Sequence, residues 1–360
     1  MRSLRNLAIA CAAMIGVMQP LHAREAIEHV PGKAWKHPHA ALSIPATLAE
    51  LPRVSGISYT DDYLDIGFTF LKGSDEITLY VYRNTNGAVP IWFAQAQDMI
   101  EARDQYARPQ LAGPVEAIKP AGSRTASGLK AIYQPGADSS YASTGLVLFA
   151  TGEWYVKLRA SSDTLSVEQL SALLDRAVSE LAVPKGAAAG PSAMPIEDCK
   201  TQLAYSDSTQ NAPKDPAANL LGGLMAKMTS EKASAAGKGA GEDAPALQWC
   251  RDSRVRPGLA AYRHPDNDDY YLLAVGDNGN ALSVGPDAAA AVLAAENKRD
   301  MGERYSVTLI QAAKNSTLPA QDGFPSPRRA FEILNRESFT TSVSTWGDSG
   351  TLQIGKDLLE

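Results

Sequence analysis

The stretch Gly145-Leu-Val-Leu-Phe-Ala-Thr-Gly-Glu-Trp-Tyr-Val-Lys-Leu-Arg-Ala160 decides the fold class. Its apolar residues form two runs broken at Gly152, which reads as a strand over 145–151, a turn, and a strand over 153–160. In the second run Trp154, Val156 and Leu158 point one way, and Tyr155, Lys157 and Arg159 the other. So short a link implies antiparallel pairing, since a parallel crossover takes roughly a dozen residues or more. Downstream, Leu170, Leu173, Leu174, Ala177, Val178 and Leu181 fall on one stripe of a helix over 166–182. Ser166 with Gln169 suits a capping box, and Leu165 with Leu170 a hydrophobic staple. A helix apolar on one side must cover apolar surface, and one face of the sheet is the expected partner.

Working back toward the N-terminus, the same order occurs once more. Strands are expected at 53–59, 64–71 and 76–83, followed by a helix over 93–107, with a further strand at 127–134. Leu64, Ile66, Phe68 and Phe70 alternate with Asp65, Gly67 and Thr69, the period of a half-buried strand. The fold class is therefore α+β in two domains. Residues 50–183 form the first, a two-layer antiparallel sheet packed by two amphipathic helices. Residues 184–195, crowded with Pro, Gly and Ala, read as a linker.

The second domain, 196–360, reads as a smaller mixed α+β unit. A helix is expected over 217–228, with Asp215 as its cap and Pro216 at its first position. Its Met-rich apolar side, interrupted by Gly222 and Gly223, suits packing on its own domain or docking on a partner or membrane. Residues 229–245 are low-complexity and read as a loop. Strands follow at 259–263, 270–275, 281–284, 305–312, 339–345 and 351–354, with a helix over 326–334. Asp277-Asn278-Gly279-Asn280 is a tight-turn signal, and Asp266 to Asp269 reads as turn chemistry rather than a calcium loop.

Residues 1–23 read as a cleavable signal peptide: Arg2 and Arg5, an apolar run from Leu7 to Met18, Pro20, and a small-residue site ending at Ala23. The run is too short to span a bilayer, and Ala8 stands where lipid attachment at Cys11 would usually require Leu. The expected location is periplasmic or secreted, with no transmembrane anchor after cleavage and with residues 24–49 as a flexible lead. The formal charge of −6 offers no footprint for nucleic acid. Cys199 and Cys250 remain, and in an oxidising compartment the pair is expected to form a disulfide.

The segment Thr144 to Ala160, followed by its amphipathic helix, resembles a pattern in uncharacterised secreted or periplasmic proteobacterial proteins, and Ile77 to Tyr82 fits the same pattern. The resemblance covers the first domain. It implies an envelope location and brings no known activity.

Chemical motifs are few. There is no G-x-S-x-G, Walker A or H-E-x-x-H sequence. Ser127 and Lys130 match the S-x-x-K spacing of serine acyltransferases, but no K-T-G supports them, and in a strand positions i and i+3 face opposite sides. His29, His37 and His39 read as part of a floppy tail, and His264 beside Asp266 as at most half of an acid/base pair. No metal or cofactor is expected. The function-like feature is a sheet face carrying Tyr80, Tyr82, Tyr155, Lys157 and Arg159, where stacking and charge-assisted bonds suit a glycan, an acidic peptide or a lipid head group. Charge reversal at Lys157 and Arg159 is expected to weaken binding and leave the fold intact. The expectation is a non-catalytic exported envelope protein that binds a ligand or partner. The alternatives are a periplasmic hydrolase with a site near His264, and an accessory subunit of an envelope complex.

Overall fold

The opening stretch becomes the centre of a sheet in a computed structural model, which describes residues 24–181, 190–236, 248–297, 300–347 and 350–355. Strands β1 (Leu51–Ser58), β2 (Asp65–Lys72) and β3 (Asp75–Arg83) lead into helix α1 (Val89–Glu101). Strands β4 (Gly128–Gln134), β5 (Ser143–Thr151) and β6 (Trp154–Ser162) lead into helix α2 (Val167–Glu180). All six pair antiparallel in the order β1-β2-β3-β6-β5-β4, so the two halves meet where β3 lies beside β6. The β5–β6 turn depends on Gly152 at φ 55°, a left-handed backbone that a side chain would strain.

Helix α2 forms as its sequence dictates. The Ser166 hydroxyl accepts from Gln169 N at 3.3 Å, and Ser166 N donates to Gln169 Oε1 at 2.9 Å. Leu170, Leu173, Leu174, Ala177 and Val178 are buried in one cluster with Val147, Phe149, Val156 and Leu158. Helix α1 lies on the opposite face. Its Ile91, Trp92, Phe93 and Ile100 pack with Leu146 and Leu148, the residues of β5 that point away from α2. The helices therefore cover both faces of the sheet rather than one. Buried nearly all round, α1 is a core helix and not an amphipathic one. It also begins earlier than expected, because Pro90 occupies its first turn, where the missing N–H costs nothing.

Residues 24–49 are not a flexible lead. Ile27, Leu42, Ile44 and Leu48 are buried in the same cluster as Ile66, Phe68 and Leu79 and close the part of that face that α2 does not reach. Short strands Trp35–Lys36 and Ser43–Ile44 pair with each other, and Glu25–Ala26 pairs with β1. The fastening is Arg53, whose guanidinium donates to Ile44 O (2.9 Å), Pro45 O (3.2 Å) and Lys33 O (2.8 Å). The sequence hides this, since a segment held by backbone carbonyls carries no period.

A second sheet follows helix α3 (Pro216–Ala236). Its strands are β7 (Cys250–Arg256), β8 (Leu259–Arg263), β9 (Tyr271–Val275), β10 (Ala281–Pro286), β11 (Tyr305–Ile310), β12 (Lys314–Thr317), β13 (Thr341–Ser344) and β14 (Leu352–Ile354), an antiparallel meander in chain order. Helix α4 (Ala288–Asn297) connects β10 to β11, and α5 (Pro327–Arg336) connects β12 to β13. Ala330, Ile333 and Leu334 of α5 pack on Ala261, Leu273 and Val307. The other face presents Ala260, Tyr262, Leu272, Ala274 and Ala281 to α1. Small residues there let α1 approach closely, so one helix serves as shared core for both sheets.

The Asp215 carboxylate caps α3 by accepting from Ala217 N (3.1 Å) and Ala218 N (3.0 Å). The helix continues to Ala236, into the stretch read as a loop; 237–247 lies outside the described residues, as do residues 1–23, read as a signal peptide, and residues 182–189 of the stretch read as a linker. Gly223 is there for space, because a Cβ would stand 2.8 Å from Leu352 Cδ1. Cys199 and Cys250 are bonded, with Cα atoms 4.9 Å apart, beside a short parallel pairing of Glu197–Asp198 with β7. Among the described residues no helix is long and apolar enough to cross a membrane. The class is thus mixed α and β, with mainly antiparallel sheets.

Candidate functional site

Alternation along β3 and β6 places Tyr80, Tyr82, Tyr155, Lys157 and Arg159 on one face, with Tyr82 opposite Tyr155 and Tyr80 opposite Lys157. That face is not an open surface. The Asp277–Asn280 turn between β9 and β10 descends onto it. Lys157 Nζ donates to Asp277 O at 2.7 Å and Oδ2 at 2.8 Å, and Arg159 Nη2 donates to the same Oδ2. Asn86 Nδ2 donates to Gly279 O at 2.7 Å, and Asn278 Nδ2 to Asp65 Oδ2 at 3.2 Å. The Lys157 side chain is only 3% exposed. Charge reversal there would therefore set a carboxylate against Asp277 and break the fold, rather than leave it intact.

Outboard of the turn the sheets part and leave a cleft of about 990 Å3. Four of the five expected residues line it; Tyr155 instead turns into the inter-sheet core and donates to Asn86 O at 3.3 Å. One wall carries Tyr59, Asp65, Tyr80, Tyr82, Arg103 and Arg159, and the other carries Asp277, Asn278, Lys314, Ser342, Ser344 and Trp346. Gly67 on β2 makes room for the Tyr59 ring, since a Cβ would come 3.1 Å from its hydroxyl. The Lys157 ammonium lies 4.9 Å from the Tyr80 ring centre and 5.3 Å from that of Tyr82. The Tyr82 hydroxyl and Arg159 Nε are buried without a hydrogen-bond partner among the described residues.

Charge in the cleft is strongly coupled. Burial pushes the Asp65 carboxyl up to about 7, against the opposing pull of Lys157 and the Asn278 bond. Burial lowers the Lys157 ammonium below its ordinary value, with Asp277 resisting. Burial would also raise Asp277, but the adjacent Arg159 and Lys157 outweigh it and hold that carboxyl well below the usual range. Of these groups only the cations were legible as a candidate site. Asp65 showed merely as the polar half of a strand and Asp277 as a turn residue, and pairing across 120 positions leaves no local signal.

The remaining candidates lie elsewhere. His37 is 4% exposed, with Nδ1 accepting from Ala40 N (2.9 Å) and His39 N (3.1 Å) and Nε2 3.1 Å from Tyr63 O. Both ring nitrogens are thus engaged, and the tail reading fails with the rest of the segment. His264 stacks on Trp249 with ring centres 4.2 Å apart, its Nδ1 2.8 Å from Gln248 O, and it does not line the cleft. The Asp266–Asp269 turn is pinned from below by Arg263, which donates to the carbonyls of His264, Pro265 and Asn267. Lys130 pairs with Asp175 at 2.8 Å and Glu116 at 3.1 Å, which occupies the ammonium of the S-x-x-K pair. Among the described residues no group of three or more His, Cys, Asp or Glu is placed to hold a metal ion.

Two groups give the protein a pH dependence of opposite sign. Burial, against the bond to Tyr63 O and helped by nearby His39, pushes the His37 imidazole down to about 4 from 6.5. The unfolded chain therefore binds this proton more readily, and the stability His37 contributes is lost as pH falls from 6.5 toward 4. Asp65 holds its proton to about 7 when folded and to 3.8 when unfolded, so its contribution is lost as pH rises through that window. In urea titrations between pH 4 and 7, Asp65→Asn should climb more steeply with pH than the parent, and His37→Gln less steeply. Parallel curves for all three would contradict both assignments.

Fold and site together define a mixed α and β protein whose two sheets share one core helix and enclose a charged, aromatic cleft. No family model, curated protein or solved structure matches the chain. Function has to be read from the cleft itself.

Proposed function

We propose that this chain is a non-catalytic exported protein of the bacterial envelope, akin to the secreted or periplasmic proteobacterial proteins it resembles, and that it binds a polar, hydroxyl-bearing ligand in the inter-sheet cleft. Each sheet unit supplies one wall, which is the sense we give to two domains over 50–183 and 196–360. The observation that carries the reading is the Tyr82 hydroxyl, which belongs to a cleft-lining residue 1% exposed and has no hydrogen-bond partner among the described residues. Buried polar groups in native proteins are nearly always bonded, so an orphan on a cavity wall marks where a ligand's polar atom belongs. Tyr59 and Tyr80, stacked with centres 6.5 Å apart, and Trp346 opposite give the cleft the aromatic lining that sugar recognition uses.

Several features favour binding over catalysis. Lys157 and Arg159 are both engaged by Asp277. The cleft serines bond Ser316 Oγ (2.8 Å, from Ser342) and Trp346 O (2.8 Å, from Ser344), so neither meets a base. The disulfide suits an oxidising compartment. The hydrolase reading has no observation in its favour, since His264 stands outside the cleft.

The test is Tyr82→Phe. Removing an unsatisfied buried hydroxyl, whose burial costs about 1–3 kcal/mol, should leave the melting temperature of the free protein unchanged or higher. The same substitution should weaken ligand binding roughly five- to thirtyfold, the equivalent of one hydrogen bond, in calorimetric titrations of residues 24–360 with a panel of saccharides. Full affinity in the variant would remove the cleft as the site.

A further inference from the structure

We propose that the ligand carries a carboxylate, as an acidic saccharide does, and that this carboxylate takes the place of Asp277 on Lys157 and Arg159. The inference rests on the cleft reading and sharpens it to a ligand class. The existing contact is incomplete on the cationic side. Lys157 Nζ and Arg159 Nη2 converge on one oxygen, Asp277 Oδ2, while Arg159 Nε has no partner among the described residues. A guanidinium satisfied by a carboxylate normally uses two parallel N–H groups on two oxygens. Asp277 presents a single oxygen to both cations, and in the proposal it is a stand-in.

The cleft has further positive charge to offer. Arg103, just past helix α1, and Lys314, on β12, line it from opposite walls, and neither side chain has a hydrogen-bond or ion-pair partner among the described residues. Asp61 and Asp62 also belong to the lining but are exposed to water at the rim. Lys157 and Arg159 share a single carboxylate at 2.8 Å and in direct contact respectively, with the neighbouring Asp65 bonded to Asn278 instead.

In this proposal the turn that supplies Asp277 is the part that moves, exchanging its bonds to Lys157 and Arg159 for those of the ligand. Gly276 (φ 75°) and Gly279 (φ 87°) bracket it, and Asn278 at its tip is exposed. Outward movement would free the ammonium, the guanidinium and the Tyr82 hydroxyl together, because the turn glycine Gly279 packs 3.3 Å (from its Cβ position) over the Tyr82 ring. A ligand carboxylate entering the same space would restore the charge balance that the turn gives up, and its sugar body would rest between Tyr80 and Trp346.

The experiment uses residues 24–360, titrated by calorimetry and by tryptophan fluorescence at pH 7 with glucuronate, galacturonate and N-acetylmuramate. Their neutral parents glucose, galactose and N-acetylglucosamine, and inorganic phosphate, serve as the other arms. At least one acid should bind tenfold or more tightly than its neutral parent. Asp277→Asn, which keeps a bonding oxygen for Lys157 but removes the competing charge, should tighten that acid a further tenfold, and Arg159→Met should abolish the preference. The proposal is overturned if no acid outbinds its parent, if phosphate binds as tightly as the acids, or if Asp277→Asn weakens them. Neutral sugars that bind equally well and lose affinity in Tyr82→Phe would leave the cleft reading standing without the acid. No binding by any sugar, with Tyr82→Phe silent, would end both.

Discussion

Lys157→Glu is expected to cost about 3–5 kcal/mol of stability, the range for stranding a buried charge, and to leave much of the protein unfolded at ordinary temperatures. An exposed lysine on a wet sheet would cost within roughly 0.5 kcal/mol. The difference follows from position. The ammonium is 3% exposed, its hydrogen bonds go to Asp277, and a glutamate in its place would face the carboxylates of Asp277 and Asp65. Because Asp277 sits on the second sheet, the damage should include parting of the sheets, read as increased protease sensitivity of the β9–β10 turn. The double substitution Lys157→Glu with Asp277→Lys should recover a substantial part of the loss in urea titrations. A single variant as stable as the parent would show that the turn does not hold the face closed.

Reducing the Cys199–Cys250 bond, or replacing both residues with serine, should lower stability by up to about 4 kcal/mol, the chain-entropy figure for a loop of this length. The sequence separation is 51 residues, and the bond joins the start of the second unit to the first strand of its sheet. Without it, Glu197–Asp198 would keep only a two-residue parallel pairing, and α3 would hang on a longer free connection. The measurement is a pair of urea curves with and without reductant. A fall in midpoint with a larger slope, reflecting a more expanded unfolded chain, is expected, and coincident curves would show the bond to be energetically idle. If export is correct, the same loss should appear when the chain is made in a reducing cytoplasm.

These two effects have one origin in the architecture. Helix α1 and the Asp277 turn are two of the places where the sheets connect; Arg83 of β3, which donates to Ala312 O (2.8 Å) and Thr345 Oγ1 (3.3 Å), is another. The helix does so through Trp92, Phe93 and an Asp98–Arg254 ion pair at 3.2 Å, and the turn through Lys157 and Arg159. The cleft is the space between these fastenings. A ligand that moves the turn would loosen one fastening while the others hold, so binding need not separate the sheets.

Much of the local structure was legible from short-range chemistry. The stripe and capping box of α2, the Asp215 cap of α3, the Ser326 cap of α5, whose hydroxyl accepts from Arg329 N at 3.1 Å, and the alternation of β2 and β6 all follow from neighbours a few positions apart. Strand β7 was missed because its apolar period is diluted by Arg251, Arg254 and Arg256, and α4 because an alanine run has no distinct apolar stripe. The lead at 24–49 was misread because its hold on the core comes from Arg53 bonds to carbonyls, which no side-chain pattern announces.

By itself the sequence determined that Tyr80 and Tyr82 share one side of their strand and Lys157 and Arg159 one side of theirs, because a strand alternates with period two whatever surrounds it; the pairing of β3 with β6 is what puts all four on one face. Only the tertiary structure decided what that face meets. Its partners, Asp277 on a turn of the other sheet and Trp346 beyond it, lie more than a hundred residues away, and their approach depends on how α1 packs between two sheets. Periodicity is a property of neighbouring residues, whereas closure of a cleft is a property of surfaces brought together by burial, so each strand's side could be read in advance and the occupant of the shared face could not.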